Sequence, residues 1–177
     1  MHGMPAPSNA TPPDSTAKFI ILMGVSGVGK TTIGKLLARR FGCSFFDADD
    51  FHPEANLSKM RRGIPLTDDD RREWLDRLSK LIGSCTSAGE PAVLACSALK
   101  HSYRSKLRRG HEGVIFVYLK APREVVEERL SDRKGHFFNP ELLESQIADL
   151  EEPVNAVIVD AAEPVDVVLE TIEKAIT

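Results

Sequence analysis

The stretch Gly24-Val25-Ser26-Gly27-Val28-Gly29-Lys30-Thr31 constrains this chain more than any other. It follows an apolar run, Phe19-Ile20-Ile21-Leu22-Met23, and opens into a helical pattern. Every required position of the phosphate-binding loop G-x-x-x-x-G-K-[ST] is filled. Glycines let the backbone curl until successive N–H groups point at phosphate oxygens. The helix behind the loop adds free N-terminal donors and about half a positive charge. Lys30 is expected to reach the β- and γ-phosphates of a nucleoside triphosphate, and Thr31 to hold Mg²⁺. A glycine turn that only joins strand to helix is the bland alternative. The buried strand before it and the helix after it favour a triphosphate site. What receives the phosphate must be read elsewhere.

The rest of the chain alternates buried strands with amphipathic helices. Strands are expected at 19–23, from Phe45-Phe46 into Asp47-Ala48-Asp49-Asp50, and at 92–96, 114–119 and 157–159. Ile33, Leu36, Leu37 and Phe41 share one helical face before Gly42, a C-cap glycine. Further helices are expected over 54–62, after the capping-box start Thr67-Asp68-Asp69-Asp70, over 100–109, from Pro122 at its N1 position to about Lys134, over 140–150, and through Val165–Ile176. This pattern predicts an α/β fold: a five-stranded parallel sheet with helices on both faces. At 177 residues the chain suits one domain, 18–177, with a small lid at about 131–140. Residues 1–17, with Pro5, Pro7, Pro12 and Pro13, are expected to be a flexible tail. They lack a secretory apolar core and the arginines of a transit peptide, so a cytoplasmic location is expected. A net charge of −3 gives no footprint for nucleic acid or an anionic membrane. Cys43, Cys85 and Cys96 are too scattered for a disulfide framework or a zinc site.

Ligands of parallel sheets sit beyond the carboxyl ends of the strands. After the second strand come Asp47 and Asp49, placed on one side if strand alternation persists. One can hold the Mg²⁺ shell and the other can accept the proton of an attacking hydroxyl. Asp49 is assigned as base and Asp47 as metal-side partner, against an acidic turn capped by Asp50. His52 is either a substrate donor or a loop histidine with a structural bond. Lys59, Arg61 and Arg62, and then Arg71 and Arg72, form either a solvated basic face or part of an acceptor pocket. The third strand closes on Cys96-Ser97 where an aspartate is usual in related loops. Ser97 is a helix cap or a site residue, and Lys100 and Arg104, one turn apart, could clamp an anion. After the fourth strand, Arg129 and Arg133 lie four apart on one predicted helix face, ahead of Lys134-Gly135-His136-Phe137-Phe138. Paired arginines before a glycine hinge suit a closing lid, where guanidinium charge can be worth roughly 10³–10⁵ in rate. The loop Val159–Pro164 is a purine platform or a plain turn.

Together these segments resemble the gluconokinase family, in the shikimate-kinase-like branch of P-loop small-molecule kinases. The resemblance spans about residues 19–176. It rests on the phosphate loop, Asp47–Pro53, Asn56 with Lys59-Met60, Gly63–Arg71, Trp74-Leu75, Cys96–Lys100, Tyr103-Arg104 and Arg133–Phe138. Shikimate kinases carry a triple glycine where this chain has Cys96-Ser97-Ala98. The resemblance implies a three-layer P-loop kinase fold and ATP- and Mg²⁺-dependent phosphorylation of D-gluconate at its terminal hydroxyl. It implies nucleotide contacts at Gly24–Thr31, Arg129, Ala161 and Pro164. Asp49, His52, Lys59, Arg71, Ser97, Lys100, Arg104 and His136 become acceptor-side candidates, and Lys30, Asp49 and Arg133 catalytic ones. A homodimer is also implied. Other readings are a kinase of another small hydroxy acid such as shikimate, and a binding module without turnover.

Overall fold

The run Phe19–Met23 forms β1, the middle strand of a five-stranded parallel sheet in the computed structural model, which describes residues 18–133 and 139–177. After β1 come α1 (Lys30–Phe41), β2 (Ser44–Asp47), a 3₁₀ turn (Ala48–Phe51), α2 (Glu54–Arg61) and α3 (Asp68–Ala88). Then follow β3 (Ala92–Ala95), α4 (His101–Arg108), β4 (Val114–Lys120), α5 (Arg123–Ser131), α6 (Pro140–Asp149), β5 (Val157–Asp160) and α7 (Val165–Ile176). The spatial order is β2-β3-β1-β4-β5. The chain leaves β1 in one direction for β2 and β3 and in the other for β4 and β5. The end of β1 is therefore the switch point where such sheets bind ligands.

All five residues of β1 are buried because both faces of the sheet are covered. Phe19, Ile21 and Met23 face a cluster completed by Leu94, Phe116 and Tyr118 from the sheet and by Trp74, Leu78, Ile82 and Leu107 from α3 and α4. Ile20 and Leu22 face the other side, with Val93, Val117, Leu119 and Val159, under Ile33 and Leu37 of α1 and Val168, Leu169 and Ile172 of α7. The period of two along β1 thus divides the core into two layers.

The expected helix signals at the starts and stops mostly hold. Thr67 accepts from the Asp70 N–H while the Asp70 carboxylate accepts from the Thr67 N–H, the full capping box. Gly42 ends α1 in the left-handed conformation, φ 61°. Most other boundaries fall within a residue of expectation, and three differences bear on the site. Pro122 is the N-cap of α5 with ψ 147°, not its first helical residue. That helix stops at Ser131 rather than Lys134, because the backbone tightens into an Arg133 N–H to Leu130 C=O bond, i to i−3. β2 stops at Asp47, so Asp49 and Asp50 lie in the 3₁₀ turn and not on an extended strand. Among the described residues no helix is long and apolar enough to cross a membrane. Residues 1–17 lie outside the described residues.

Leu78 is fully buried between α3 and the sheet, so Leu78→Ala should lower the unfolding free energy by about 2–5 kcal/mol in urea titration. Val154, 89% exposed, should change it by less than about 0.5 kcal/mol when made alanine.

Candidate active site

The loop after β1 is shaped by close approach as much as by backbone freedom. Gly27 has φ 83°, and a Cβ there would lie 2.6 Å from Leu130 Cγ. Gly24 has φ 143°, and its Cβ would lie 2.7 Å from the Leu119 carbonyl oxygen. Any other residue at either position strains the backbone and collides with β4 or α5. The Lys30 ammonium donates to the carbonyls of Gly24 and Val25, both at 2.9 Å. Burial pulls its pKa down to about 8, against the pull of Asp49 and Asp47 in the other direction.

A cavity of about 370 Å³ opens at the ends of β1, β2 and β3, lined by Ser26, Gly27, Gly29, Lys30 and Thr31 of the loop. Asp47 and Asp49 both line it, although strand alternation is not what brings them there. Asp47 caps the 3₁₀ turn instead. Its Oδ1 accepts from the Asp49 N–H at 3.0 Å and its Oδ2 from the Thr31 hydroxyl at 3.0 Å. A hydroxyl and one carboxylate, with room for further oxygens, form a donor set that Mg²⁺ accepts, since it keeps several waters and substrate phosphates in its shell. Burial, with the Asp47 charge beside it, raises the Asp49 pKa, and Lys30 opposes the rise. Asp49 therefore holds a proton more tightly than an ordinary aspartate does. Cys96 also lines the cavity, but burial pushes its thiol up to about 12, so it is inert.

The opposite wall is built from α2, α3 and α6. His52 is buried, stacked on Trp74 with ring centroids 4.6 Å apart and planes 11° from parallel. Asn56 Nδ2 donates to His52 Nδ1 at 3.3 Å, which leaves the ring proton on Nε2. Burial first, then the Arg71 charge, lowers the His52 pKa to about 4, so the ring is neutral. Arg71 lines the cavity while Tyr103 Oη and Asp149 accept from its guanidinium at 2.9 and 3.3 Å. Asp68 accepts from both Tyr103 and Lys100, which holds its carboxyl below the usual range. Ser97 and Arg133 line the cavity as well.

Other sequence candidates are engaged away from the cavity. Lys59 is bound to both oxygens of Asp70, at 2.7 and 2.8 Å. Lys100 and Arg104 do not form a clamp. Lys100 reaches Asp68 at 2.8 Å, whereas Arg104 is buried and donates to the carbonyls of Ala98, Leu99 and Glu151, each at 2.8 Å. Those bonds hold the loop after β3, where Ala98 has φ 42°, a left-handed conformation costly for alanine. Ser97 is not the cap of α4; Lys100 occupies that position. Arg129 and Arg133 do not share a helix face, because α5 has ended before Arg133. Arg129 instead donates to the carbonyls of Val28 at 3.1 Å and Ala161 at 2.8 Å, tying the phosphate loop to the loop after β5. Ala161 is buried and its N–H donates to Lys120 C=O at 2.7 Å, while Pro164 caps α7. His136 lies outside the described residues.

The sequence reading missed Gln146. It sits on α6, and its side chain bonds the Ser26 N–H at 2.7 Å and the Ser26 hydroxyl at 2.9 Å. Its spacing from Leu142 and Leu143 puts it on their helix face, but only the structure shows that this face lines the cavity. Asp149, one turn further on, had no local signal at all.

A parallel sheet with a phosphate loop at its switch point and paired carboxylates beside it defines a P-loop kinase domain. A family model described as an AAA domain matches residues 19–154. The probable gluconokinase of Dictyostelium discoideum is 42% identical over 167 residues, covering 87% of this chain and 84% of its own. The thermoresistant gluconokinase of Escherichia coli (strain K12) is 40% identical over 158 residues, covering 86% and 90%. The crystal structure of a gluconokinase from Sinorhizobium meliloti 1021 matches with a TM-score of 0.81 at 41% identity, over 91% of this chain and 92% of that one. The chain belongs to the gluconokinase family.

His52 binds fewer protons folded than unfolded between about pH 4 and 6.5. Unfolding should therefore become easier as the pH falls through that window, and stability should be fully retained above it. Urea titrations from pH 7 to 4 should show this slope, and His52→Gln should flatten it.

Proposed function

We propose that the protein is a gluconokinase that transfers the γ-phosphoryl group of ATP to the terminal hydroxyl of D-gluconate, giving 6-phospho-D-gluconate for sugar-acid catabolism and the pentose phosphate pathway. The observation that carries this reading is the shared cavity. In a chain of this family, the phosphate loop with Lys30 and the Asp47–Asp49 pair open onto the same space as Arg71 and Arg133. Gluconate is a linear polyol with a carboxylate at one end. Its recognition needs a cation at one end of a pocket and a base beside the hydroxyl at the other.

Asp49 takes the proton of the attacking hydroxyl, its raised pKa matching it to that task. Thr31 and Asp47 would hold Mg²⁺, which would offset the charge that builds on the phosphates. Lys30 leaves its two loop carbonyls to meet the triphosphate, regaining an anionic partner for its buried charge. Arg71 is favoured as the carboxylate anchor, because it faces the cavity from a half-buried hydrogen-bonded frame. His52 offers its Nε2–H to a substrate oxygen, and Ser97 its hydroxyl. Lys59, Lys100 and Arg104 support this wall from behind. The loop after β5, with Ala161 and Pro164, receives the adenine, and Arg129 fixes that loop against Val28. The reading keeps residues 131–140 as a small lid bearing Arg133 and His136, residues 1–17 as a tail, a homodimer as the assembly and the cytoplasm as the location.

ADP release should depend on gluconate and not on shikimate or other sugar acids; turnover of another acid with gluconate inert would remove the substrate assignment. Asp49→Asn should cut kcat by about a hundredfold or more while ATP affinity stays within about threefold. Lys30→Ala should weaken nucleotide binding and turnover together. The profile of kcat/KM against pH should fall on the acid side as Asp49 gains its proton, above the 3.8 of an ordinary aspartate. It should fall on the alkaline side near pH 8, as Lys30 loses its charge.

A further inference from the structure

Gln146 joins two parts of the cavity that are far apart in the chain. A backbone N–H can only donate, so the carboxamide oxygen faces the Ser26 N–H at 2.7 Å. The carboxamide NH₂ then donates to Ser26 Oγ at 2.9 Å. Both polar ends of the side chain are thus spent on one residue of the phosphate loop. Three positions along α6, on the same face, Asp149 accepts from Arg71 at 3.3 Å and stands 3.7 Å from Lys100. Leu143, only 2% exposed, anchors the helix one turn before Gln146. One short rigid element therefore grips the donor side through Ser26 and the acceptor side through Arg71.

We propose that Gln146 is a positioning residue that sets the register between the phosphate loop and the Arg71 wall, so that the acceptor hydroxyl lies in line with the transferred phosphoryl group. The proposal rests on the kinase reading above. Transfer between two bound reactants depends steeply on their mutual placement, and a displacement of about 1 Å can cost about a hundredfold in rate. Loss of register exposes the γ-phosphate to water in place of the acceptor hydroxyl. The signature of Gln146 is then uncoupling, ADP released without a matching phosphate ester, which simple loss of stability does not produce. A second signature follows from its place against the loop. A carboxylate at this position still accepts from the Ser26 N–H and from the Ser26 hydroxyl, so it keeps the geometry while placing a negative charge beside the phosphates.

The full-length chain, Gln146→Ala and Gln146→Glu are compared for kcat, KM of ATP and gluconate, phosphogluconate formed per ADP released, ADP affinity by calorimetry, and melting temperature. Gln146→Ala should lower kcat about ten- to a hundredfold and bring the product-to-ADP ratio well below one. Its melting temperature should stay within about 4 °C of the parent. Gln146→Glu should bind ADP about tenfold more weakly while melting like the parent. Full coupling with unchanged kcat in Gln146→Ala overturns the proposal, as does Gln146→Glu binding ADP as tightly as the parent. If the parent binds ADP and leaves gluconate untouched, the gluconokinase reading fails, and the ADP affinity of Gln146→Glu still decides whether Gln146 borders the phosphates.

Discussion

The charge of Lys30 is the constraint on which the site depends. Lys30 opens α1, half-buried at the cavity wall, and its ammonium folds back over the loop that follows the wholly apolar β1. An unpaired charge there costs several kcal/mol, so the surroundings must answer it. Two loop carbonyls at 2.9 Å do so directly, and Asp49 and Asp47 do so through space. The answer runs both ways. Lys30 restrains the rise in the Asp49 pKa that burial and Asp47 cause. The glycines of the loop then become necessary, since they let carbonyls turn toward Lys30 while the backbone passes against Leu119 and Leu130.

The remaining cations divide by the kind of partner they meet. Arg104 and Arg129 donate to backbone carbonyls and hold loops together, one after β3 and the other between the phosphate loop and β5. A planar guanidinium with several donors suits that work, because it satisfies two or three carbonyls at fixed angles. Lys59 neutralises Asp70, whose carboxyl it pulls down to about 2, and so steadies the capping box that starts α3. Arg71 differs because Tyr103 and Asp149 hold it while it still faces the cavity. Scaffold and site thus draw on one residue type, and only the partners separate them.

Much of this was legible in the chain. The apolar run before the glycine loop, the alternation of strands and helices, and the capping box at Thr67 are local patterns, and each produced its element. That Asp47, Asp49, His52 and Ser97 would line one cavity was also readable, because residues just after the strands of a parallel sheet gather at its carboxyl edge, and Arg71 of α3 and Arg133 after α5 line the same cavity. What failed were inferences that extended a local geometry too far. Asp49 lies within a 3₁₀ turn and not on a strand. Arg133 lies beyond the end of α5, so its spacing of four from Arg129 carries no shared face. Lys100 and Arg104, one helical turn apart, point to an exposed carboxylate and to buried carbonyls respectively.

By itself, the sequence determined the class of fold, the phosphate loop and the carboxylates beside it, since these rest on spacing within a few residues. Only the tertiary structure decided which basic residues face the cavity and which brace it, because Arg71, Arg104 and Arg129 meet partners 32 to 101 positions away. It alone brought Gln146 of α6 to Ser26 of the phosphate loop, 120 positions apart in the chain. Contacts of that separation leave no local pattern. They exist because the sheet order places α6 across the end of β1, where side chains from both halves of the chain must satisfy one another.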